Sequence, residues 1–165
     1  MSVELVVFII LSAVAVVGAL GVVLNRPLFR SALFLVLSFV GVAGFYILLE
    51  VPLLAMVQLL IYVGAIAILI IFAIMLSRQA MVAEGKVLND QWWVGGVVAA
   101  LLGLGLIFVL LQVEWPVVQA AVPADGVQAL GQALISPDAF VLPFEVASVL
   151  LLVALVGAVI IAREK

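Results

Sequence analysis

Five apolar stretches, each long enough to cross a lipid bilayer as a helix, dominate this 165-residue chain. They run over residues 3–24, 28–49, 53–76, 92–113 and 140–162. A hydrocarbon core about 30 Å thick requires about 20 residues at about 1.5 Å of rise each. No water reaches that depth, so backbone N–H and C=O groups must pair inside the span, which a helix does locally. Charged residues make up 9% of the sequence and hydrophobic ones 70%. Soluble domains carry roughly 25% charged residues, so only lipid can serve as solvent for this much apolar surface. The expected fold is an all-α membrane protein of five transmembrane helices in a single membrane domain over residues 1–165.

The connections follow from what interrupts the apolar runs. Asn25-Arg26-Pro27 and Glu50-Val51-Pro52 are tight links, and proline suits a helix start because its missing N–H would be unpaired there. Residues 77–91 form a polar loop, and 114–139 is the longest connection. Within it, Asp125-Gly126-Val127-Gln128 resembles a capping box with Asp as acceptor, and Val127, Leu130 and Leu134 fall on one helical face. That pattern predicts a short interfacial helix. The first stretch opens with Glu4 rather than a basic region and is read as a retained helix, not a cleaved signal.

Five spans place every Lys and Arg on one side. Arg26, Arg30, Arg78, Lys86, Arg163 and Lys165 all fall there, while Glu4, Glu50, Glu114, Asp125 and Asp138 fall opposite. Basic residues stay cytoplasmic, which predicts an outside N-terminus, a cytoplasmic C-terminus and an outside loop at 114–139.

Missing residue types exclude much chemistry. Without Cys there is no disulfide, thiolate zinc site or cysteine-held iron–sulfur cluster, and without His no imidazole ligand for haem, zinc or copper. The chain is expected to bind no metal and no cofactor of its own and to carry no catalytic residue. A net charge of −3 with no basic stripe disfavours nucleic acid as a partner.

Polar side chains at membrane depth are few, and each must be satisfied or functional. Ser12, Ser31, Ser38 and Ser148 are read as bonding back to carbonyls of their own helices. The third stretch holds Gln58 and Tyr62. Tyr62 sits too deep to reach the interface, so its hydroxyl needs a partner inside the membrane. Nearby Gly64 admits either close helix packing or a π-bulge, and both readings stand on the residues alone. Glu145, about one turn into the last stretch, is read either as a helix-dipole carboxylate or as a protonatable relay. Small residues recur at four-residue spacing at Ala154, Ala158 and Ala162, at Gly96 and Ala100, and at Ala99 and Gly103, which predicts contact with other membrane helices.

Two segments carry a resemblance. Gln58-Leu59-Leu60-Ile61-Tyr62-Val63-Gly64-Ala65-Ile66, continuing through Ile70-Ile71-Phe72-Ala73-Ile74-Met75, and Leu142-Pro143-Phe144-Glu145-Val146-Ala147-Ser148 are similar to the third and last helices of one family. Asn25-Arg26-Pro27 with Ser31-Ala32-Leu33 matches that family's first loop and second helix. The family is the J subunit of bacterial NADH–quinone oxidoreductase (respiratory complex I), counterpart of mitochondrial subunit 6 and the chloroplast and cyanobacterial G subunit.

The resemblance implies a membrane-arm subunit of a proton-translocating, respiratory-chain NADH dehydrogenase, partnered by other membrane-arm subunits and the lipid bilayer. It implies a π-bulge at Tyr62 to Gly64 whose conversion to regular helix couples quinone reduction to proton translocation, with Glu145 as a family carboxylate. NADH or another electron donor, quinone, flavin and iron–sulfur clusters would be handled by other subunits, and the expected location is the bacterial plasma membrane, with an organelle membrane as the alternative. A cation/proton antiporter subunit is the rival from another class, and its mark, a paired mid-membrane Lys or Glu, is missing. A pure assembly scaffold is the second rival.

Overall fold

We describe a computed structural model of the chain covering residues 2–77, 91–114 and 125–163. Those residues form six helices: α1 (Val3–Leu24), α2 (Leu28–Leu48), α3 (Pro52–Leu76), α4 (Trp92–Gln112), α5 (Gly126–Ile135) and α6 (Val141–Ala162). All but α5 are long and apolar enough to span a membrane. Each end of these five spans lies within one residue of the end expected from the sequence. No strand occurs among the described residues. Arg78, Lys86 and Lys165, which the orientation argument used, lie outside the described residues.

The chain divides into two compact units, Met1–Val118 and Gln119–Lys165. In the first, α1 and α2 pack antiparallel through small residues. A Cβ added at Gly18 would stand 2.6 Å from the Ser38 backbone nitrogen, and one at Gly41 would stand 2.9 Å from that of Ala15. Gly21 lies against the Phe34 ring and Gly44 against the Leu11 side chain. Backbones this close leave no room for side chains between them, which is how apolar helices gain contact where lipid offers no hydrophobic drive. Ser38 uses the closeness: its Oγ donates to the Ala15 carbonyl across the interface at 3.2 Å. Phe8 and Phe45 meet edge to face beyond the glycines, with ring centroids 5.6 Å apart.

Polar groups at the helix ends tie the links. Ser2 caps α1 by accepting from the Leu5 N–H at 3.4 Å. Asn25 ends α1, its Nδ2 donating to the Gly21 carbonyl at 2.6 Å, and Ser31 Oγ donates to the Asn25 carbonyl at 3.2 Å. The Asn25-Arg26-Pro27 link is thus clamped from both helices. At the other end of α2, the Val51 N–H reaches the Tyr46 carbonyl at 2.9 Å and the Glu50 N–H the Ile47 carbonyl at 3.0 Å. That is a Schellman closure, which needs a left-handed residue, and Glu50 adopts it with φ of 58°. Pro52 then begins α3 at its first turn, as the link's sequence predicted.

In the second unit α5 packs on α6, and the Phe140 N–H joins the two by donating to the Ala133 carbonyl at 3.0 Å. The short helix expected after Asp125 is present, but the capping box is not: Asp125 makes no side-chain bond to the helix end. Its backbone, at φ −102° and ψ 17°, lies outside the extended region that a capping residue uses to turn its side chain onto the helix.

Candidate functional site

The middle of α3 departs from α geometry. Gln58–Ala67 winds as a π-helix of 10 residues between α-helical Pro52–Val57 and Ile68–Leu76. A π-helix bonds each carbonyl five residues ahead, and is rare beyond single-turn bulges that gather at functional sites. The bulge expected at Tyr62 to Gly64 is therefore a segment reaching about a turn further in each direction.

Gly64 lies inside it. A Cβ there would stand 3.3 Å from the Leu59 carbonyl oxygen, five residues back, which is the carbonyl that π winding sets beneath residue 64. The absent side chain therefore suits this winding. The glycines of α1 and α2 serve a different purpose, the close approach of those two helices.

Tyr62 projects toward α2, where its ring meets Phe39 edge to face with centroids 5.4 Å apart and planes at 74°. Such a pair favours this geometry by about 0.5–1.5 kcal/mol beyond the area it buries. The Tyr62 side of the contact is 43% exposed, and its hydroxyl bonds to no described residue. The partner that a phenol at this depth requires is not among the described residues of this chain. Gln58, at the start of the π segment, is the buried polar residue among those described, with 6% exposure.

Glu145 lies in the second unit, on α6. The helix begins at Val141, so Glu145 sits past the first turn, where the dipole's preference for a carboxylate has largely faded. That removes the simpler of its two sequence readings. Its side chain is exposed and borders an open apolar groove of about 390 Å³ with Leu142, Val146, Val149, Leu150 and Val153. One turn along, Ser148 donates to the Phe144 carbonyl at 3.0 Å, as expected of a membrane serine. Ser31 and Ser38 depart from that expectation: Ser31 bonds the Asn25 carbonyl in the link and Ser38 the Ala15 carbonyl of the neighbouring helix.

Of the small residues spaced along α4, Gly96 and Gly103 have open space where a Cβ would stand and Ala99 and Ala100 are exposed, and on α6 Ala154, Ala158 and Ala162 are exposed. Neither α4 nor α6 buries a residue. Among the described residues no three His, Cys, Asp or Glu side chains gather as a metal site would require.

The family model described as NADH-ubiquinone/plastoquinone oxidoreductase chain 6 matches residues 18–161. This chain belongs to that family. It is 38% identical over 99% of its length to NAD(P)H-quinone oxidoreductase chain 6 of Leptolyngbya boryana, covering 82% of that protein. It is 39% identical over 98% of its length to the organellar chromatophore NAD(P)H-quinone oxidoreductase subunit 6 of Paulinella chromatophora, covering 78% of it. The chain 6 of Synechocystis is 37% identical over 99% of this chain, with 82% of that protein covered. The matched span takes in the π segment, the α1–α2 glycines and Glu145 together.

Sequence reasoning found Tyr62 and Gly64 but passed over Phe39, which holds the tyrosine ring. Nothing in the string marks one phenylalanine among nine as facing another span. The glycine seam between α1 and α2 was passed over as well, although Gly18 with Gly21 and Gly41 with Gly44 repeat a three-residue spacing that marks it.

Proposed function

We propose that this chain-6 family member is the J-type membrane-arm subunit of a proton-translocating NADH:quinone oxidoreductase, and that α3 is the element through which it couples quinone reduction to proton movement. The π segment Gln58–Ala67 carries this reading. A span whose middle is wound one way and whose ends are wound another has two backbone pairings available, and exchanging them moves side chains without unpairing the backbone in lipid. Tyr62 is the group moved, and Gly64 is the position that admits the π winding. Glu145 supplies a carboxylate on the exposed face of α6, where another membrane-arm subunit completes its surroundings.

The N-terminus lies outside and the C-terminus in the cytoplasm, in a bacterial plasma membrane. The electron donor, NADH or an equivalent, is oxidised in other subunits, which hold the flavin and iron–sulfur clusters. Quinone is reduced where those subunits meet the membrane. The family names of the relatives support a quinone-linked complex over an antiporter, and the bare faces of α4 and α6 fit a chain built into an assembly.

A graded series at Gly64 tests the coupling role in the assembled complex. Gly64→Ala adds one carbon at 3.3 Å from the Leu59 oxygen, a contact tight by a few tenths of an ångström. Gly64→Val adds a branched side chain whose overpacking costs about 1–3 kcal/mol, enough to shift the winding balance about tenfold. Quinone-dependent proton pumping should fall modestly in the first and severely in the second, with native gels showing intact complex for both. Loss of the complex itself on native gels, in step with activity, would assign Gly64 to packing. Tyr62→Phe and Glu145→Gln complete the series: unaltered pumping in both would leave an assembly scaffold.

A further inference from the structure

The burial pattern of α3 contains more than its winding. Gln58 is 6% exposed and Ala67 is 1% exposed, and between them only Val63 is partly covered while the remaining residues stand exposed. The two buried ends of the segment are nine residues apart. At about 3.6 residues per turn, nine residues make about two and a half turns, which puts the two ends on opposite faces. With bonds five residues ahead and about 4.4 residues per turn, nine residues make about two turns, which puts them on one face. Val63 then lies between them on that face. α2 is the helix that packs along the π segment and both of its flanks.

We propose that Gln58 and Ala67 form a winding-specific seam against α2, and that they act as positioning residues which set where Tyr62 is held. Both can touch α2 together only when the segment is π-wound. Rewinding to α geometry must release one end: either the Gln58 amide leaves its buried place, or Ala67 and the α-helical Ile68–Leu76 turn away from α2 by about half a revolution. The seam opposes rewinding through packing at its ends, whereas Gly64 acts at the middle through the backbone. The Phe39–Tyr62 pair lies between the two contacts and is carried with them. The role in coupling rests on the function proposed above; the seam itself rests on burial and winding.

The chain contains no Cys, so pairs of introduced thiols report on it directly. α2 and α3 run antiparallel across the short Leu49–Val51 link, and Phe39 fixes their register at Tyr62. One turn toward the link from Phe39 lies Ala43, which is 2% exposed; one turn away lie Leu35 and Val36. In the assembled resting complex, Gln58→Cys with Ala43→Cys should cross-link under mild oxidation or with a short bifunctional thiol reagent. So should Ala67→Cys with a cysteine at Leu35 or Val36, at comparable yield. Phe39→Cys with Tyr62→Cys is the control for the register. Cross-linking at the control and at Gln58, with none at Ala67 to either α2 position, is the α-wound result and overturns the seam. A complex locked by both disulfides should lose quinone-coupled pumping and recover it on reduction. Full pumping in the locked complex would defeat the coupling role of α3 while leaving the seam intact.

Discussion

Replacing Gly18 by alanine is the most direct challenge to the packing that holds α1 on α2. The added Cβ would stand 2.6, 2.8 and 2.9 Å from the nitrogen, Cα and Cβ of Ser38. Carbon atoms settle at about 3.5–4.0 Å, so the helices must part by about 1 Å at this point. Two of the three atoms are backbone, and no rotamer change relieves the overlap. Parting by that much would stretch the Ser38 Oγ to Ala15 carbonyl bond from 3.2 Å to about 4 Å, beyond hydrogen-bonding range. Overpacking of this kind costs about 1–3 kcal/mol. An interhelical bond in a membrane contributes about 0.6–1.7 kcal/mol, which brings the expected total to about 2–5 kcal/mol. Equilibrium unfolding in mixed detergent micelles measures it, and a double-mutant cycle with Ser38→Ala separates the terms. Ser38→Ala should destabilise the parent by about 1 kcal/mol and the Gly18→Ala protein by much less, because the bond is already broken there. If Gly18→Ala leaves stability within about 0.5 kcal/mol of the parent, the argument from close approach fails. An equal Ser38→Ala effect in both backgrounds refutes the hydrogen-bond part alone.

Two further substitutions probe the helix ends. Glu50 holds a left-handed conformation that a residue with a Cβ occupies at a cost of about 1–2 kcal/mol, so Glu50→Gly should raise the unfolding midpoint, by about 1 kcal/mol after glycine's added chain entropy is counted. A lower midpoint would show that the Glu50 side chain has a compensating contact. Asp125 makes no capping bond, so Asp125→Ala should change stability by less than about 0.5 kcal/mol, whereas losing a working Asp cap costs about 1 kcal/mol. A loss near the larger figure would mean that the carboxylate caps α5 after all.

The spans were legible because lipid imposes one rule over some twenty consecutive residues, and nothing else in the sequence competes with it. Asparagine then marked where α1 ends, and proline where α2 and α3 begin. The extent of the π segment was not legible. Gln58, Tyr62 and Gly64 make residues 58–67 less apolar than Ile68–Leu76, but residue types do not mark where π winding starts or stops, and α2 packs along the segment and both flanks, a relation between two helices rather than a property of one. The Asp125 box misled for a related reason. Its spacing was right, but a capping bond requires a backbone angle at Asp125 that residue types do not encode. Ser38 was misread because its own helix offered a carbonyl, and the glycines at positions 18 and 41 bring a competing one within reach.

A membrane narrows the ways in which a buried span can change shape. Bending a helix open exposes carbonyl and amide groups to hydrocarbon, at a cost of several kcal/mol per group. Exchanging bonds four residues ahead for bonds five residues ahead keeps nearly every group paired throughout, and its cost falls instead on side-chain packing. α3 has the features such an exchange requires. A glycine sits where an added Cβ would press on the Leu59 carbonyl oxygen in the π winding, and long exposed apolar residues can slide on either surface. An aromatic pair and two buried ends favour the π arrangement. The two buried ends, Gln58 and Ala67, also make that arrangement distinguishable by experiment, since a helix of ordinary pitch cannot present both to the same neighbour.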